Sequence, residues 1–453
     1  MRRQILDAGF PMPDLGCSIN RKRIISIIFT LIALWIISGS ALAGEYEFDP
    51  AETEKKPYHF GGYLEFRPVL MGLDKGAVFN KLKFYNRDEK NPLPEYNFGL
   101  QLEGSYEKGI SRIFVRTNTN VLNSYLGWSE YTSLYEGTLS LKPSPALDVY
   151  AGKKTLKWGK GYAWNPVAFL DRPKNPDEPE LNLEGFVVTG SDYIRSFEGP
   201  MKTFSFTPVI LPAYQGLNDD FGGKDQWNFA GKFYFLVYDT DIDFLFLSGG
   251  SKSPRYGIDF SRNLGTNLEI HGEAAWIEGN KKNVVDSGGR NRIVEEDIGS
   301  YLLGLRYLSD RETTTIIEYY HNGGGYTAKE MGDYYSFIDS GYNQYNQTGN
   351  DALLRKASTF SMGAYGKPTP MQDYLYFRIS QKEPFDILYF TPALTGIINL
   401  EDKSFSLSPE LLYTGFTNWE LRLKGTTLSG KSQSEYGEKS NDYRIEFRVR
   451  YYF

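Results

Sequence analysis

The last eleven residues of the chain alternate between two kinds of side chain. From Tyr443 to Phe453 every odd-numbered position is apolar or aromatic, whereas the even positions 444 to 450 hold three arginines and one glutamate. A period of two places these two sets on opposite faces of a β-strand. In a soluble sandwich the apolar face would pack on a second sheet; in a transmembrane barrel it would meet lipid, and the charged face would line a wet lumen.

The same alternation recurs along the chain. The segment from Trp227 to Val237 is the cleanest internal case, and similar runs occupy 98–102, 268–276, 301–307, 375–379 and 419–423. A tilted strand needs roughly ten residues to cross a bilayer, which is about the length of these runs. The chain shows no linker or composition shift that would divide it into soluble domains. One large transmembrane antiparallel β-barrel, an all-β fold, is therefore expected.

Two kinds of connection alternate between the predicted strands. Short turns are expected near 107–109, 142–145, 198–200, 239–240, 262–265, 309–310, 366–370 and 417–418. Longer polar loops are expected at 69–94, 158–182, 211–225, 279–295, 322–354, 382–402 and 428–440, with shorter ones near 122–131 and 250–253. Short turns at one rim and long loops at the other are typical of membrane barrels. This pattern predicts about 18 strands, with 16 as the alternative. Pro208 and Pro409 fall inside predicted strands, where they indicate bulges or displaced boundaries.

The end of the chain also resembles a known class of protein. An aromatic residue that closes a strand of this kind is similar to the terminal strand of Gram-negative outer-membrane porin-type β-barrels. The resemblance implies that Phe453 is an assembly signal read by the barrel-assembly machinery. It further implies that outer-membrane lipid and lipopolysaccharide surround the barrel, and that the protein is a homotrimer or a monomer.

The N-terminal region predicts export from the cytoplasm. Arg21 to Arg23 precede an apolar run and a small-x-small site that ends at Ala43, so residues 1–43 are expected to be a signal peptide with an N-terminal extension. Residues 44–57 would then be a short periplasmic segment, and 58–453 the barrel. Cys17, the one cysteine, lies in the part expected to be removed, which excludes cysteine-based metal or haem sites from the mature protein. The net charge of −6 gives no sign of nucleic-acid binding.

Side chains between the apolar positions should face the lumen. The candidates are Arg67, Arg112, Arg116, Glu269, Glu273, Arg306, Arg378, Arg422, Arg444, Glu446, Arg448 and Arg450. Opposed rows of arginine and carboxylate across a pore would create a transverse field that orients polar solutes and sets ion preference. The alternative is that these charges pair across neighbouring strands and brace the wall.

The longest motif of mixed glycine, tryptophan and lysine begins at Gly152 and continues to Pro179. Its "WG…NP" pattern resembles one seen in porin-like barrels, and its place in the chain resembles the third loop of general porins, which folds inward. The resemblance implies a constriction loop at 158–182. The candidate residues are Lys157, Trp158, Lys160, Trp164, Asp171 and Arg172. The alternative is an ordered surface loop, and loop 322–354 is expected to be a hydrated exterior loop or a saccharide contact.

These features favour a channel for passive diffusion of small polar solutes, without cofactor or metal. A barrel that acts as a scaffold or sheath for an exporter or electron-transfer partner is one alternative, and a closed-barrel surface enzyme or adhesin is another. The chain has three histidines, and none forms a metal-ligand pair. His321 is the one candidate for a surface catalytic site, so an enzyme is not expected.

Overall fold

A closed sheet of 18 antiparallel strands forms the molecule. The structure is a computed structural model, and it describes residues 56–453. Each strand pairs with its sequence neighbours, and β1 also pairs with β18, so the sheet closes on itself. The predicted all-β fold, an antiparallel β-barrel of about 18 strands, is therefore confirmed. The predicted signal peptide, including Cys17, lies outside the described residues.

The strand and helix bounds follow the chain in order. The strands are β1 Tyr58–Leu73, β2 Leu93–Lys108, β3 Ser111–Ser124, β4 Gly127–Ser144, β5 Leu147–Lys154, β6 Phe186–Ser196, β7 Met201–Ala213, β8 Gln226–Val237, β9 Thr240–Ser248, β10 Arg255–Leu264, β11 Leu268–Val285, β12 Asn291–Leu308, β13 Thr313–His321, β14 Asp373–Gln381, β15 Phe390–Asn399, β16 Phe405–Tyr413, β17 Trp419–Ser429 and β18 Asn441–Tyr452. The α-helices are α1 Val78–Phe84, α2 Ala328–Thr348 and α3 Ala352–Ser361.

Alternation separates the two faces of the barrel wall. On β18, Ile445 is 48% exposed and Phe447 is 42% exposed. The residues that follow each of them, Glu446 and Arg448, are only 1% and 8% exposed. The same contrast recurs on other strands, so the outer face presents apolar and aromatic side chains and the inner face carries most of the charge. Such a wall matches a hydrocarbon surround on its outer side.

The two ends of the sheet meet at the rim of short turns. Backbone hydrogen bonds of 3.1 Å run from Gly62 N to Phe453 O and from Phe453 N to Gly62 O. The rings of Phe60 and Phe453 also lie 6.3 Å apart. The last residue of the chain thus extends the ladder that closes the barrel.

The two prolines singled out in the sequence, Pro208 and Pro409, interrupt the ladder without shifting it. Pairing between β16 and β17 stops after Leu407 and resumes at Glu410 in the same register, so Pro409 lies in a break rather than a bulge. Pro208 occupies a comparable break between β6 and β7. Proline lacks the N–H that a ladder position needs, which accounts for both gaps.

One predicted hairpin is wrong. The turn predicted at 366–370 and the loop predicted at 382–402 would require a strand just after residue 354. Instead α2 and α3 occupy a single long connection between β13 and β14, and β15 lies where the loop was predicted. The two errors cancel in the strand count. A capping box of Thr327 and Glu330 starts α2, and Gly349 ends it in the left-handed conformation.

Helices and loops form a cap at the rim of long loops. The rings of Phe79 on α1 and Tyr335 on α2 meet edge to face at 6.0 Å, and Lys81 Nζ lies 2.7 Å from Asp339 Oδ1. Val78 N donates to Glu438 in the loop between β17 and β18, at 2.7 Å. Three separate connections are therefore packed together here. Among residues 56–453, no helix combines the length and apolarity needed to cross a membrane.

Candidate functional site

The connection between β5 and β6, residues 155–185, leaves the wall and crosses the lumen; it is called the inward loop below. Its first anchor is Glu273 on β11. Glu273 Oε1 accepts hydrogen bonds from Lys160 N and Gly161 N at 2.6 Å each, and Oε2 accepts one from Val167 N at 3.2 Å. A Cβ at Gly159 would lie 2.7 Å from the same carboxylate, and its φ of 95° suits glycine. One buried carboxylate thus satisfies backbone donors that would otherwise lack partners.

A second wall carboxylate, Glu318 on β13, holds the next residues of the loop. It accepts hydrogen bonds from Tyr162 N and, at 2.8 Å, from Ala163 N. His271 Nε2 lies 2.9 Å from Glu318 Oε1. Beside this anchor, the indole of Trp164 stacks on the ring of Tyr320 with centroids 5.1 Å apart. The loop tip is therefore attached to the wall of β11–β13 by charge-assisted hydrogen bonds and ring packing.

The later part of the inward loop reaches a different region of the wall. Glu178 pairs with Arg422 on β17, and Lys424 Nζ donates to Asp177 O at 2.7 Å. Burial favours the neutral acid, but the charges of Arg422 and Arg67 outweigh it and hold the pKa of Glu178 below its usual range. The loop is thus fixed to both β11–β13 and β17 and divides the lumen.

An apolar cluster fixes the loop to the wall that it leaves. Trp158, Val167, Phe169 and Leu170 are buried against inward-facing apolar residues of β5 to β9 and Ala275. A Cβ at Gly257 would lie 2.9 Å from Val167, so this wall glycine permits the close approach. This part of the interior is packed, not wet.

The predicted loop candidates take different positions within this arrangement. Asp171 accepts hydrogen bonds from Leu156 N at 2.8 Å and Trp158 N at 3.0 Å, and burial raises its pKa. Arg172 pairs with Asp220, and Lys157 is exposed with a φ of 57°. Asp171 therefore joins the first residues of the inward loop to a later part of the same loop.

Lys160 forms the loop's contact with a pair of wall acids. Asp243 on β9 and Asp259 on β10 are directly opposed and almost fully buried. Lys160 Nζ lies 3.1 Å from Asp243 Oδ2 and 3.9 Å from Asp259 Oδ1. Burial lowers the pKa of Lys160, but the charges of Asp243 and Asp259 outweigh it and raise that pKa above its usual value. The lysine offsets the repulsion between the two carboxylates.

Most of the predicted lumen arginines are paired with carboxylates. The pairs are Arg67–Glu446 at 3.2 Å, Arg116–Glu136 at 2.7 Å, Arg378–Glu410 at 3.1 Å, Arg422–Glu446 at 2.5 Å, Arg448–Glu420 at 2.7 Å and Arg450–Glu65 at 2.6 Å. Arg112, Arg306 and Arg444 have no carboxylate oxygen within 4.0 Å among residues 56–453. Glu269 lies 3.6 Å from His271 Nδ1. Five of these six pairs join neighbouring strands, and Arg378–Glu410 joins β14 to β16 across β15. Both arrangements link strands of the wall, which is the geometry of wall bracing.

Sequence reasoning missed three of the inner carboxylates: Glu318, Asp243 and Asp259. Each occupies an alternate position in a strand whose other face is apolar, such as Phe244 beside Asp243. A consistent application of the period-two rule would have found them. Their convergence with the loop could not be read from one strand, because the loop and the wall are more than 70 residues apart in sequence.

His321 lies away from the lumen. Its Nδ1 is 2.9 Å from Asp373 Oδ1, and its ring stacks on Tyr301 at 4.9 Å. Tyr301 is 42% exposed and belongs to the outward-facing set of β12. The histidine is therefore on the outer side of the long-loop rim. In the described part of the chain, no group of three or more His, Cys, Asp or Glu residues could hold a metal ion.

Several solved structures are similar to the barrel. Acinetobacter baumannii OccAB1 matches with a TM-score of 0.49 and 10% identity, over 87% of this chain and 96% of that chain. Pseudomonas aeruginosa OpdQ matches with a TM-score of 0.49 and 10% identity, over 88% and 99%. A triple mutant of Rhodopseudomonas blastica porin matches with a TM-score of 0.42 and 9% identity, over 87% and 100%. No family model and no curated protein matches the sequence.

Proposed function

We propose that the protein is an outer-membrane channel through which small hydrophilic solutes diffuse down their gradients. The observation that carries the proposal is the inward loop, which is held inside a closed barrel by Glu273 and Glu318. A loop fixed across the lumen narrows the path that a solute follows from one end of the barrel to the other. In this role it sets the largest solute that passes.

The outer surface supports a membrane location. A closed sheet leaves no free edge, so every strand can satisfy its backbone hydrogen bonds within a lipid environment. Apolar and aromatic side chains cover the outer face, as at Trp276, Leu303 and Phe447. With the predicted signal peptide, these features favour the outer membrane of a Gram-negative bacterium.

The charges of the lumen supply the proposed preference among solutes. Asp243, Asp259 and Glu273 lie on β9–β11, whereas Arg67, Arg422 and the other arginines of β17, β18 and β1 lie on a separate arc of the wall. Opposed charges across a pore orient dipolar solutes. Because most arginines are paired, the solute would respond mainly to those that are not, such as Arg444.

The test is single-channel conductance of the purified full-length protein in planar bilayers. We expect small, discrete steps from the wild type. The double variant Glu273→Gln with Glu318→Gln should give larger or noisier steps, because an amide accepts the loop's backbone N–H groups less strongly than a carboxylate. Glu312→Gln is the matched control, since Glu312 is an exposed residue at the short-turn rim. Equal conductance in all three proteins would contradict the constriction role.

A second candidate function is a closed barrel that serves as a scaffold or surface protein. The observation in its favour is the packed apolar cluster around Trp158 and Phe169, which fills part of the interior. The same recording separates the two. If the folded wild type and the loop-released double variant are both silent, the channel proposal is wrong and the scaffold is favoured.

A further inference from the structure

The turn between β14 and β15, residues 382–389, projects apolar side chains from the short-turn rim; it is called the apolar turn below. It has eight residues, whereas the other turns at this rim have two to five. Phe385 is 92% exposed and Leu388 is 62% exposed, and Ile387 and Tyr389 are exposed as well. Each of the other short turns in the described part of the chain has at most one exposed large apolar residue. Exposed apolar side chains are thus concentrated at one point of this rim.

Hydrogen bonds hold the apolar turn in a defined shape. Glu383 N donates to Phe390 O at 2.8 Å, and Tyr389 N donates to Glu383 Oε1, also at 2.8 Å. Four residues have φ values from 49° to 63°, in the left-handed region that residues other than glycine seldom adopt: Glu383, Phe385, Asp386 and Tyr389. Such a backbone persists only where its surroundings determine it. The apolar side chains are therefore exposed by an ordered turn.

The apolar turn is continuous with an arc of outward-facing aromatic residues at the same rim. Phe390, the residue after the turn, is the direct partner of Tyr413, and both belong to the outward-facing sets of β15 and β16. The rings of Tyr413 and Phe416 meet at 5.4 Å, and those of Trp419 and Tyr451 at 4.8 Å. Aromatic residues at this position in a barrel wall mark the boundary between membrane and water.

A backbone contact joins the apolar turn to this arc. Thr414 N, in the next turn along the rim, donates to Tyr389 O at 3.0 Å, and Phe416 of that turn is also exposed. Residues 384–389 contain one charged residue, Asp386. Exposed apolar patches mark contacts with a membrane or with another protein. Continuity with the aromatic arc favours the membrane.

We propose that the apolar turn inserts its exposed side chains into the lipid leaflet on the short-turn side and anchors the barrel there. Membrane binding of this kind grows with the apolar area that enters the lipid. Asp386 would lie at the level of the headgroups, where its carboxylate keeps its water. Because the other short turns are shorter and less apolar, the anchor acts on the side of β14 to β17. The inference rests on the membrane location proposed above and not on the passage of solutes.

The test measures the surroundings of a nitroxide spin label attached at single cysteines. Cys17 is the one cysteine of the chain, so each variant also carries Cys17→Ser. The labelled variants are Phe385→Cys and Leu388→Cys, and the full-length protein is reconstituted in vesicles of phosphatidylethanolamine and phosphatidylglycerol. We expect both labels to collide several-fold more often with oxygen, which dissolves in lipid, than with a water-soluble nickel chelate.

Two further positions calibrate this measurement. Leu411→Cys lies in the outward-facing apolar set of β16 and should show the lipid pattern. Arg311→Cys lies in the polar turn between β12 and β13, at the same rim, and should show the aqueous pattern. The inference is overturned if the labels at 385 and 388 behave like the label at 311. Shielding of those labels from both reagents would also overturn it, because it would indicate contact with protein.

The anchoring itself needs a second measurement, made with a label at Phe416→Cys. The variant Phe385→Ser, Ile387→Ser, Leu388→Ser should shift this label toward the nickel chelate, because the neighbouring turn no longer enters the lipid. The matched control Phe385→Leu, Ile387→Leu keeps the turn apolar and should leave the label unchanged. Equal collision ratios in both variants would reject the anchor.

These outcomes separate the inference from the function that it builds on. An aqueous pattern at 411 would reject the membrane location and the anchor together. A lipid pattern at 411 with an aqueous pattern at 385 and 388 would reject the anchor alone. Neither measurement depends on conductance, so a silent barrel would leave the result unaffected.

Discussion

At the scale of single residues, the structure divides the lumen charges by whether they already have a partner. Arg448 lies 2.7 Å from Glu420 Oε1 and is nearly buried. Arg444 is on the same face of the same strand, four residues away, and has no carboxylate within 4.0 Å among residues 56–453. A paired arginine braces neighbouring strands, whereas an unpaired one projects its field into the lumen.

Arg444 and Arg448 therefore give a matched pair for measurement. Arg444→Gln should shift the reversal potential in a salt gradient toward cation preference and leave the thermal unfolding midpoint nearly unchanged. Arg448→Gln should leave the reversal potential closer to wild type but destabilise the barrel by about 1–3 kcal/mol, because Glu420 loses a charged partner. Equal shifts of reversal potential in both variants would show that pairing does not decide a residue's effect on ions.

The inner face was predictable to the extent that it follows a period of two. Arg67, Glu273 and Arg422 were predicted from alternation, and all three project inward. Which acid each arginine meets depends on the register between strands, which alternation alone does not specify. The role of Glu273 as an anchor for the loop could not be predicted for the same reason.

At the scale of elements, a buried carboxyl group fixes one of the loops at the long-loop rim to the wall. Glu435, in the loop between β17 and β18, accepts hydrogen bonds from Tyr374 Oη at 2.6 Å and Asn399 Nδ2 at 2.8 Å. Burial raises its pKa to about 7. The loop is thereby attached to β14 and β15 through one titratable group.

The attachment of this loop should weaken as the pH rises. A carboxyl whose pKa is higher in the folded state binds protons more tightly there, so its contribution to stability is fully present below about pH 4.5 and is lost as the pH rises through about 7. Amide hydrogen exchange in residues 430–440, corrected for intrinsic rates, should be faster at pH 8 than at pH 6. Glu435→Gln should remove this difference; an unchanged pH dependence in that variant would assign it to another group.

The sequence predicted the strands better than it predicted the helices. Strands such as β8 follow from uninterrupted alternation, and their turns follow from polar and glycine residues. The helix α2 was missed because tyrosine, asparagine and glycine are frequent in its sequence, and α3 was missed because the turn predicted at 366–370 required a strand in its place. The capping pair Thr327 and Glu330 was the available signal. The inward course of residues 155–185 agrees with the resemblance to porin loops, but its anchors follow only from the assembled wall.

At the scale of the whole molecule, the last residue adds the final pair to the ladder between β1 and β18 that closes the barrel. Deleting Phe453 removes both backbone hydrogen bonds to Gly62 and the contact with Phe60. We expect less heat-modifiable barrel in membranes, whereas Phe453→Tyr, which keeps the backbone and an aromatic ring, should assemble nearly as the wild type does. Wild-type levels of the deletion variant would contradict the proposed assembly signal and show that the remaining pairs of β1 and β18 suffice for closure.

Because Phe453 and Gly62 pair at the rim that also holds the turn between β12 and β13, the ring of strands has no physical beginning. A circular permutant could join position 453 to residue 58 through a short linker and open at 309–312, with all 18 strand pairings preserved. In such a chain Phe453 would complete the ladder without being a terminus. If this permutant assembles, Phe453 is needed only to complete the hydrogen-bonded ring of strands. If it does not assemble, the aromatic residue must be recognised at a free C-terminus.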